Sequence, residues 1–337
     1  MTKSKIFKKI RRRDSREIYF LGHKIFSYSR KSNKKESYSL SVYEYLDGYK
    51  DIIRLYDESS EQQSASSDKK SDFIASDSKK ILFQYWNSGI ENAPDMVKTC
   101  FSSVDKWCSD YKIIRLNDSN LSEYIDIPEH IMNKYQAGII SKAHFSDYLR
   151  TSLLLKWGGI WCDATVYMTG QIPKKISSSD FFMFKSDSFC ITNDKQKGYV
   201  PSMSMLDVLK DLPSSSNPVI CGSSWFLSAG KNNLRVLNLV KKILDEYWLR
   251  EDHLIDYFLF HYVLSYVVVT DKISRDIYSN MANYCNFNPH ILLNVLYDRY
   301  NENLFNEIKS LSSIHKLTYQ KNADIEGTFI EYLLDNK

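Results

Sequence analysis

Short apolar runs alternate along the chain with segments whose apolar residues recur at helical spacing. Ile81-Leu-Phe-Gln-Tyr-Trp reads as a buried strand. Pro94 stands where a first-turn proline belongs, and a helix is expected from there to about Trp107. Tyr111 to Leu116 is a second strand, ending in the turn chemistry of Asn117-Asp118-Ser119-Asn120. Short helices follow, one after Pro128. Ser141 to Trp157 reads as a longer helix, with Gly158 or Gly159 to supply a left-handed cap. Ile160-Trp-Cys is a short apolar strand that ends at Asp163. Phe181 to Phe184, and Val219 with Trp225 to Leu227, suggest further strands, and helices dominate from Leu234 onward. Strands alternating with helices predict an α/β domain with a helix-flanked sheet and helical additions toward the C-terminus.

Before Ile81 the pattern changes. Ile18 to Leu21 and Lys24 to Tyr28 read as two short strands around Gly22, and Val42 to Tyr56 as a helix. Residues 57–80 hold eight serines and almost no large apolar side chain. Such a stretch cannot bury enough surface to offset its ordering entropy, so it is expected to be a linker. Four parts result: a tail over 1–16, a small segment over 17–56, the linker over 57–80 and the main domain over 81–337. The net charge is +4, yet residues 1–16 alone carry +7, which leaves the rest at −3. The tail has two readings: a patch that touches anionic lipid or nucleic acid, or a solvated, disordered terminus.

Composition excludes several classes. Hydrophobic residues make up 43% and charged residues 26%, which is ordinary for a globular chain. Only 11 glycines and 7 prolines argue against collagen-like or low-complexity architecture. The six cysteines form no C-x-x-C pair, and a reducing compartment fits them best. The most apolar stretch, Leu254 to Val269, is short and interrupted by Asp256, His261 and Ser265, so no membrane span is expected. No apolar h-region follows the N-terminal charges, so no signal peptide is expected. The chain lacks G-x-G-x-x-G, Walker A, H-E-x-x-H, G-x-S-x-G and EF-hand signatures, and its histidines show no zinc spacing.

In open sheets, ligands bind beyond the carboxyl ends of the strands. That rule directs attention to Trp86, Asn117 with Asp118, and Asp163. On the expected helix over 141–157, Ala143, Asp147, Arg150 and Leu154 share a narrow arc, with Phe145 and Leu149 opposite. Asp147 and Arg150, three apart, can meet. Read from the residues alone, they form either a buried salt bridge or a pair that holds a polar ligand. Asp163 is either an ordinary strand-ending aspartate or a ligand for a hard divalent cation.

Four blocks together add to that reading: Phe83-Gln-Tyr-Trp-Asn-Ser-Gly with Glu91-Asn-Ala-Pro, then Ile140-Ser-Lys-Ala-His-Phe-Ser-Asp-Tyr-Leu-Arg, then Trp157-Gly-Gly-Ile-Trp-Cys-Asp-Ala-Thr. Over about residues 81–320 the chain resembles the bacterial capsular polysaccharide synthesis proteins, which are similar to glycosyltransferase family 32. The N-terminal run Ile18-Tyr-Phe-Leu-Gly-His-Lys-Ile-Phe also resembles a hairpin common in bacterial surface-glycan transferases. The resemblance implies a GT-A fold, a nucleotide-sugar donor (a UDP-sugar as the family-level expectation) and retention of anomeric configuration. It implies that Trp86 stacks on the base beside Gln84, and that Asp147 and Arg150 contact the donor. Asp163 matches the first acid of a D-x-D motif that holds Mn²⁺ or Mg²⁺. The third position is Thr165, a departure that leaves one strong carboxylate, so that metal binding is expected to be weaker, to run through water at Thr165, or to recruit another ligand. In the family-like segment Ile314-His-Lys-Leu-Thr-Tyr, His315 is a candidate further metal ligand and Lys316 a candidate for neutralising phosphate.

On the acceptor side, Ser224 and Trp225 are candidate pocket residues. Asp256, in what reads as an apolar helix, is either a cap-region residue or a functional carboxylate that orients the acceptor hydroxyl or donor sugar. The expected partners are the nucleotide sugar and a glycan or lipid-linked acceptor of capsule or O-antigen assembly. The tail suits a cytoplasmic enzyme touching the inner membrane face, and the acidic body does not suit a nucleic-acid binder. Two alternatives are a protein-glycosylating effector of the same fold and a non-catalytic sugar-nucleotide-binding protein.

Overall fold

A computed structural model describes residues 42, 44–58, 80–186, 220–230, 234–319 and 325–336, and the backbone alone of 7–11, 15–20, 23–29 and 59–63. Val219, most of the expected linker and the side chains of the basic tail lie outside the described residues.

The first three strands, β1 (Phe7–Arg11), β2 (Ser15–Phe20) and β3 (His23–Ser29), form an antiparallel sheet in sequence order. Two strands were expected here. The third, β1, arises within the basic tail, where its backbone pairs Phe7 with Phe20 and Arg11 with Arg16. Backbone pairing carries no charge requirement, so the tail's composition did not reveal it.

Helix α1 (Lys50–Gln63) runs seven residues past the expected boundary at 56. Val42, Leu46 and Tyr49 ahead of it are buried in the main core, so residues 42–58 pack on the main domain. Arg235 fastens α1 through Asp57 at 2.5 Å and also pairs with Asp271 at 2.8 Å.

The main sheet has the order β5-β4-β6-β9-β8. Its strands are β4 (Ile81–Tyr85), β5 (Lys112–Leu116), β6 (Gly159–Cys162), β8 (Phe181–Lys185) and β9 (Gly222–Ala229). Strands β5, β4 and β6 are parallel, whereas β9 runs antiparallel to both β6 and β8. A separate antiparallel ribbon joins β7 (Val166–Met168) to β10 (Ile314–Lys316). Among the described residues, the helices longer than one turn after α1 are α2 (Asp95–Trp107), α3 (Glu129–Gln136), α4 (Lys142–Trp157), α5 (Arg235–Arg250), α6 (Leu259–Thr270), α7 (Lys272–Asn280), α8 (Phe287–Asn294), α9 (Glu302–Leu311) and α10 (Phe329–Asp335). This is an α/β fold with a mixed five-stranded sheet flanked by helices, as expected.

Strands β4, β6, β8 and β9 are buried on both faces, whereas the edge strand β5 exposes Lys112 and half-exposes Ile113 and Arg115. Alternate residues serve different layers. Phe83, Trp161, Phe181 and Met183 pack with α4, α5 and α6, while Leu82, Ile160, Cys162, Phe182 and Phe184 pack on the opposite side with Val104 of α2. A satellite core joins Met96 and Cys100 of α2 to α8, α9 and α10. Among the described residues, no helix is long and apolar enough to cross a membrane. Cys100, Cys108, Cys162 and Cys221 are free and buried, but Cys285, expected as a thiol, is disulfide-bonded.

The turn from α4 into β6 places the later chemistry. Gly158 closes the helix at φ 68°, and Gly159 follows at φ 92°. A Cβ on Gly159 would lie 2.4 Å from the carbonyl oxygen of Ile81. Gly159→Ala therefore combines a left-handed backbone with a clash against β4. A loss of about 3 kcal/mol is expected, a melting temperature lower by roughly 6–12 °C. Thermal unfolding followed by circular dichroism measures it, and an unchanged midpoint would contradict this packing.

Candidate functional site

A cavity of about 440 Å³ opens beyond the carboxyl ends of β4 and β6. Because β9 is antiparallel, its leading residues Ser224 and Trp225 arrive at the same edge. Chain geometry explains why Asp163 meets Arg150. From Arg150 to the end of α4 the helix climbs about 11–12 Å, and β6 returns about 13 Å. Thirteen residues thus separate two groups that stand side by side. Asp163 also follows Trp161 at strand spacing, on the face turned toward α4.

The charged centre is a chain of four ionic side chains. Arg150 Nη1 donates to Asp147 Oδ1 at 2.6 Å, and Nη2 donates to Asp163 Oδ1 at 3.2 Å and to Ser146 Oγ at 3.0 Å. Trp161 Nε1 donates to the same Asp163 oxygen at 2.8 Å. Lys316 Nζ donates to Asp163 Oδ2 at 3.0 Å and to Thr165 Oγ1 at 2.5 Å. The side chains of Arg150, Asp147 and Asp163 are only 5%, 13% and 20% exposed. The Arg150 guanidinium also lies over the rings of Trp161 and Phe260, with centroids at 5.2 and 5.7 Å.

Burial and countercharge move the two carboxyls in opposite directions. Burial pushes Asp147 above its ordinary pKa, against the pull of Arg150, His144 and a hydrogen bond from Ser224. Burial would raise Asp163 as well, but Lys316, Arg150 and the Trp161 hydrogen bond outweigh it and hold the group below its ordinary value.

Trp86 lies just past β4 at the cavity wall, packed near Ala93, Val97, Phe101 and Ala164. Its ring meets Tyr319 edge-on at 5.2 Å, and its buried Nε1 has no partner. Trp225 is held by Asn286 Oδ1 at 3.0 Å and stacks on Phe184 at 4.6 Å. The cavity therefore gathers Trp86, Asp147, Arg150, Asp163, Thr165, Ser224, Trp225 and Lys316.

Three expected site residues do not join them. Gln84 is fully buried one strand step inside Trp86, where it accepts from Arg115 Nε at 3.3 Å. His315 is also fully buried, and its Nε2 pairs with Thr169 Oγ1 at 2.9 Å. Successive residues of a strand face opposite ways, so β10 cannot aim both His315 and Lys316 at the cavity. Asp256 is neither on a helix nor in the cavity wall, because α6 begins only at Leu259. Its carboxylate instead accepts the backbone N–H of Phe258 at 2.7 Å, a turn contact that competes with helix. Asn117 and Asp118 are also outside the cavity wall, where Asp118 accepts from the Tyr85 and Tyr135 hydroxyls at 2.5 and 3.1 Å.

Residues that sequence reasoning passed over complete the wall. His144 precedes Asp147 by three on α4, a helical spacing that was a usable signal. Its Nδ1 meets Ser141 Oγ at 2.6 Å and its Nε2 the carbonyl of Tyr257 at 3.0 Å. His261 enters from α6, and Tyr257, Phe258 and Tyr319 are exposed aromatics at the rim. Nothing in the local sequence marks these four.

The donor set does not suit the divalent ion that the resemblance implies. Among the described residues, no group of three or more His, Cys, Asp and Glu side chains is placed to hold one. Asp163 is engaged by Arg150, Trp161 and Lys316, Thr165 by Lys316, and His315 lies elsewhere.

Two buried histidines give the fold an acid limit. Burial lowers His261 to about 4 and His315 to about 3, from an ordinary 6.5. Between those values and 6.5 the unfolded chain binds more protons than the folded one. Stability is therefore present above pH 6.5 and lost as pH falls below it. The melting temperature should drop between pH 6.5 and 5, with a shallower slope in His315→Gln. Equal slopes for the two proteins would count against His315 as a source.

A family model described as "Capsular polysaccharide synthesis protein" matches residues 47–333. The chain belongs to the capsular polysaccharide synthesis protein family. The match covers the main sheet, the ribbon and every cavity residue named above, and it begins near the point where the N-terminal segment enters the main core. No curated protein and no solved structure matches the chain. Membership assigns it a part in capsule biosynthesis.

Proposed function

We propose that this capsular polysaccharide synthesis protein is a retaining glycosyltransferase that moves a hexose from a nucleotide sugar to a glycan or lipid-linked acceptor. The observation that carries the reading is the cavity at the strand ends. It combines an aromatic wall at Trp86 with a buried polar centre of Asp147, Arg150, Asp163 and Lys316. A nucleotide sugar presents the matching features: a flat base, an anionic diphosphate and a hydroxyl-rich ring.

In this reading the base packs on Trp86 and the diphosphate lies toward Lys316. Asp147 and Ser224 accept and donate hydrogen bonds to sugar hydroxyls, with Arg150 fixing the Asp147 carboxylate in place. As the anomeric C–O bond breaks, negative charge grows on the leaving diphosphate. A cation preset at that oxygen lowers the barrier because it needs no reorganisation. The exposed rings of Tyr257 and Phe258 form the acceptor side, where aromatic faces pack on pyranose rings. The net +7 of residues 1–16 suits an enzyme that meets its acceptor at an anionic inner membrane face.

The test is a donor screen. Purified protein is incubated with UDP-glucose, UDP-galactose, their N-acetyl forms and GDP-mannose, with Mn²⁺ or with EDTA, and nucleotide release is followed. Release from one donor, lost in Asp163→Ala, supports the reading. No release and no thermal shift with any donor would refute it.

A further inference from the structure

The one carboxylate that a divalent ion would require at this site already has two cations on it. Arg150 and Trp161 donate to Asp163 Oδ1, and Lys316 donates to Oδ2. Lys316 spans the crook of the Asp163-Ala-Thr165 turn, touching the residues at both ends. Those are the two positions from which a pair of side chains would grip a cation together. Thr165 offers a neutral hydroxyl, which suits an ammonium group and adds nothing to the charge that a divalent ion needs.

The ribbon makes this placement a property of the fold. Lys316 is paired in register with Val166, and Leu317 N–H bonds to the carbonyl of Thr165 at 2.9 Å. The ammonium is thereby carried to the turn by backbone pairing on both sides. Asp147, the other carboxylate of the cavity, is committed to Arg150 and Ser224. A divalent ion entering here would stand a few ångströms from both Arg150 and Lys316, with repulsion from each and, among the described residues lining the cavity, no uncommitted carboxylate in return. An ammonium has three donors, and Lys316 spends two on Asp163 and Thr165. The third remains for a phosphate oxygen in the cavity that Lys316 lines.

We propose that Lys316 is the built-in counter-ion for the donor's diphosphate, so that this site binds nucleoside diphosphates and transfers sugar without a divalent metal. The proposal rests on the glycosyltransferase reading above and specifies how that site handles charge. In the step itself, the anomeric C–O bond breaks and its electron pair stays on the β-phosphate oxygen. The acceptor oxygen bonds to the anomeric carbon, and the hydroxyl proton passes to the departing diphosphate. Lys316 donates to that diphosphate throughout and keeps its own proton.

The experiment is calorimetric titration of the full chain with UDP and with GDP, in EDTA and in Mn²⁺. For the preferred nucleotide, affinities in the two conditions should agree within about twofold. Lys316→Ala should weaken binding by about tenfold or more in both, and Lys316→Arg should recover most of the loss. Thr165→Asp, which adds the missing carboxylate, should make binding respond to Mn²⁺. Melting temperatures check that each variant folds, and the wild-type comparison stands even if one does not. Wild-type binding that tightens about tenfold or more with Mn²⁺ overturns the proposal and leaves the transferase reading intact. Unchanged binding in a folded Lys316→Ala protein also overturns it. Binding of neither nucleotide in either condition removes the transferase reading, and this proposal with it.

Discussion

Asp163→Asn should reduce nucleotide release from the preferred sugar donor by about 10²–10³-fold while leaving most of the fold intact. Asparagine keeps the shape of the side chain and one carbonyl oxygen. That oxygen can still accept from Arg150 and Trp161, which share Oδ1. The other end of the amide is a donor, however, and would face the Lys316 ammonium where Oδ2 accepts at 3.0 Å. Lys316 then loses its ionic anchor and keeps only Thr165. A cation free to swing away from the diphosphate must be reorganised during each turnover, and preorganisation is what the rate depends on. Nucleotide release against time, paired with a thermal melt, reads the result. A rate within about tenfold of wild type at an unchanged melting temperature would remove Asp163 from the chemistry.

Arg150→Met should cause a large loss of stability, about 3–5 kcal/mol, seen as a midpoint lower by roughly 6–20 °C. Methionine fills a similar volume between Trp161 and Phe260, so packing alone changes little. The cost comes from two carboxylates left without the guanidinium that joins them. Asp147 has the less favourable position, since burial already raises its pKa and Arg150 is the leading opposing influence. Without Arg150 that pKa rises further, and a raised carboxyl contributes stability below its folded pKa that disappears as pH climbs through it. The gap between variant and wild type should therefore narrow as pH falls toward 5. It should also shrink in Asp147→Asn/Arg150→Met. A gap that stays constant with pH and persists in the double variant would point to packing as the cause.

Legibility from sequence followed the range of the contacts. The α/β class and most elements of the main domain could be read because buried strands and helices imprint local patterns, and the turn at Gly158 and Gly159 announced itself. Asp147 and Arg150 were readable as a pair because one helix carries both. Asp163 was readable because it closes a strand at the carboxyl edge of an open sheet, whereas its meeting with Arg150 thirteen residues earlier emerged only from the structure. Lys316 reaches Asp163 across 153 residues through the pairing of β10 with β7, and no local pattern encodes that register. Only resemblance marked it, and the same resemblance also marked His315, which strand alternation turns away. Asp256 was misplaced because the apolar run from Leu254 suggested a helix, while its own carboxylate holds the Phe258 N–H and delays the helix to Leu259. Gln84 shares a sheet face with Trp86, but strand rise sets it too deep.

The position of Arg150 constrains how such a protein diversifies. The same guanidinium that shapes the polar centre also neutralises buried charge between two aromatic rings, so recognition and folding draw on one side chain. Lineages exploring new sugars cannot alter that centre without forfeiting a large share of a stability that is only marginal in any domain. The exposed rim at Tyr257, Phe258 and Tyr319 carries no such double duty. Substrate divergence among descendants of this fold should accumulate at the cavity's mouth, around a floor held fixed by the demands of folding.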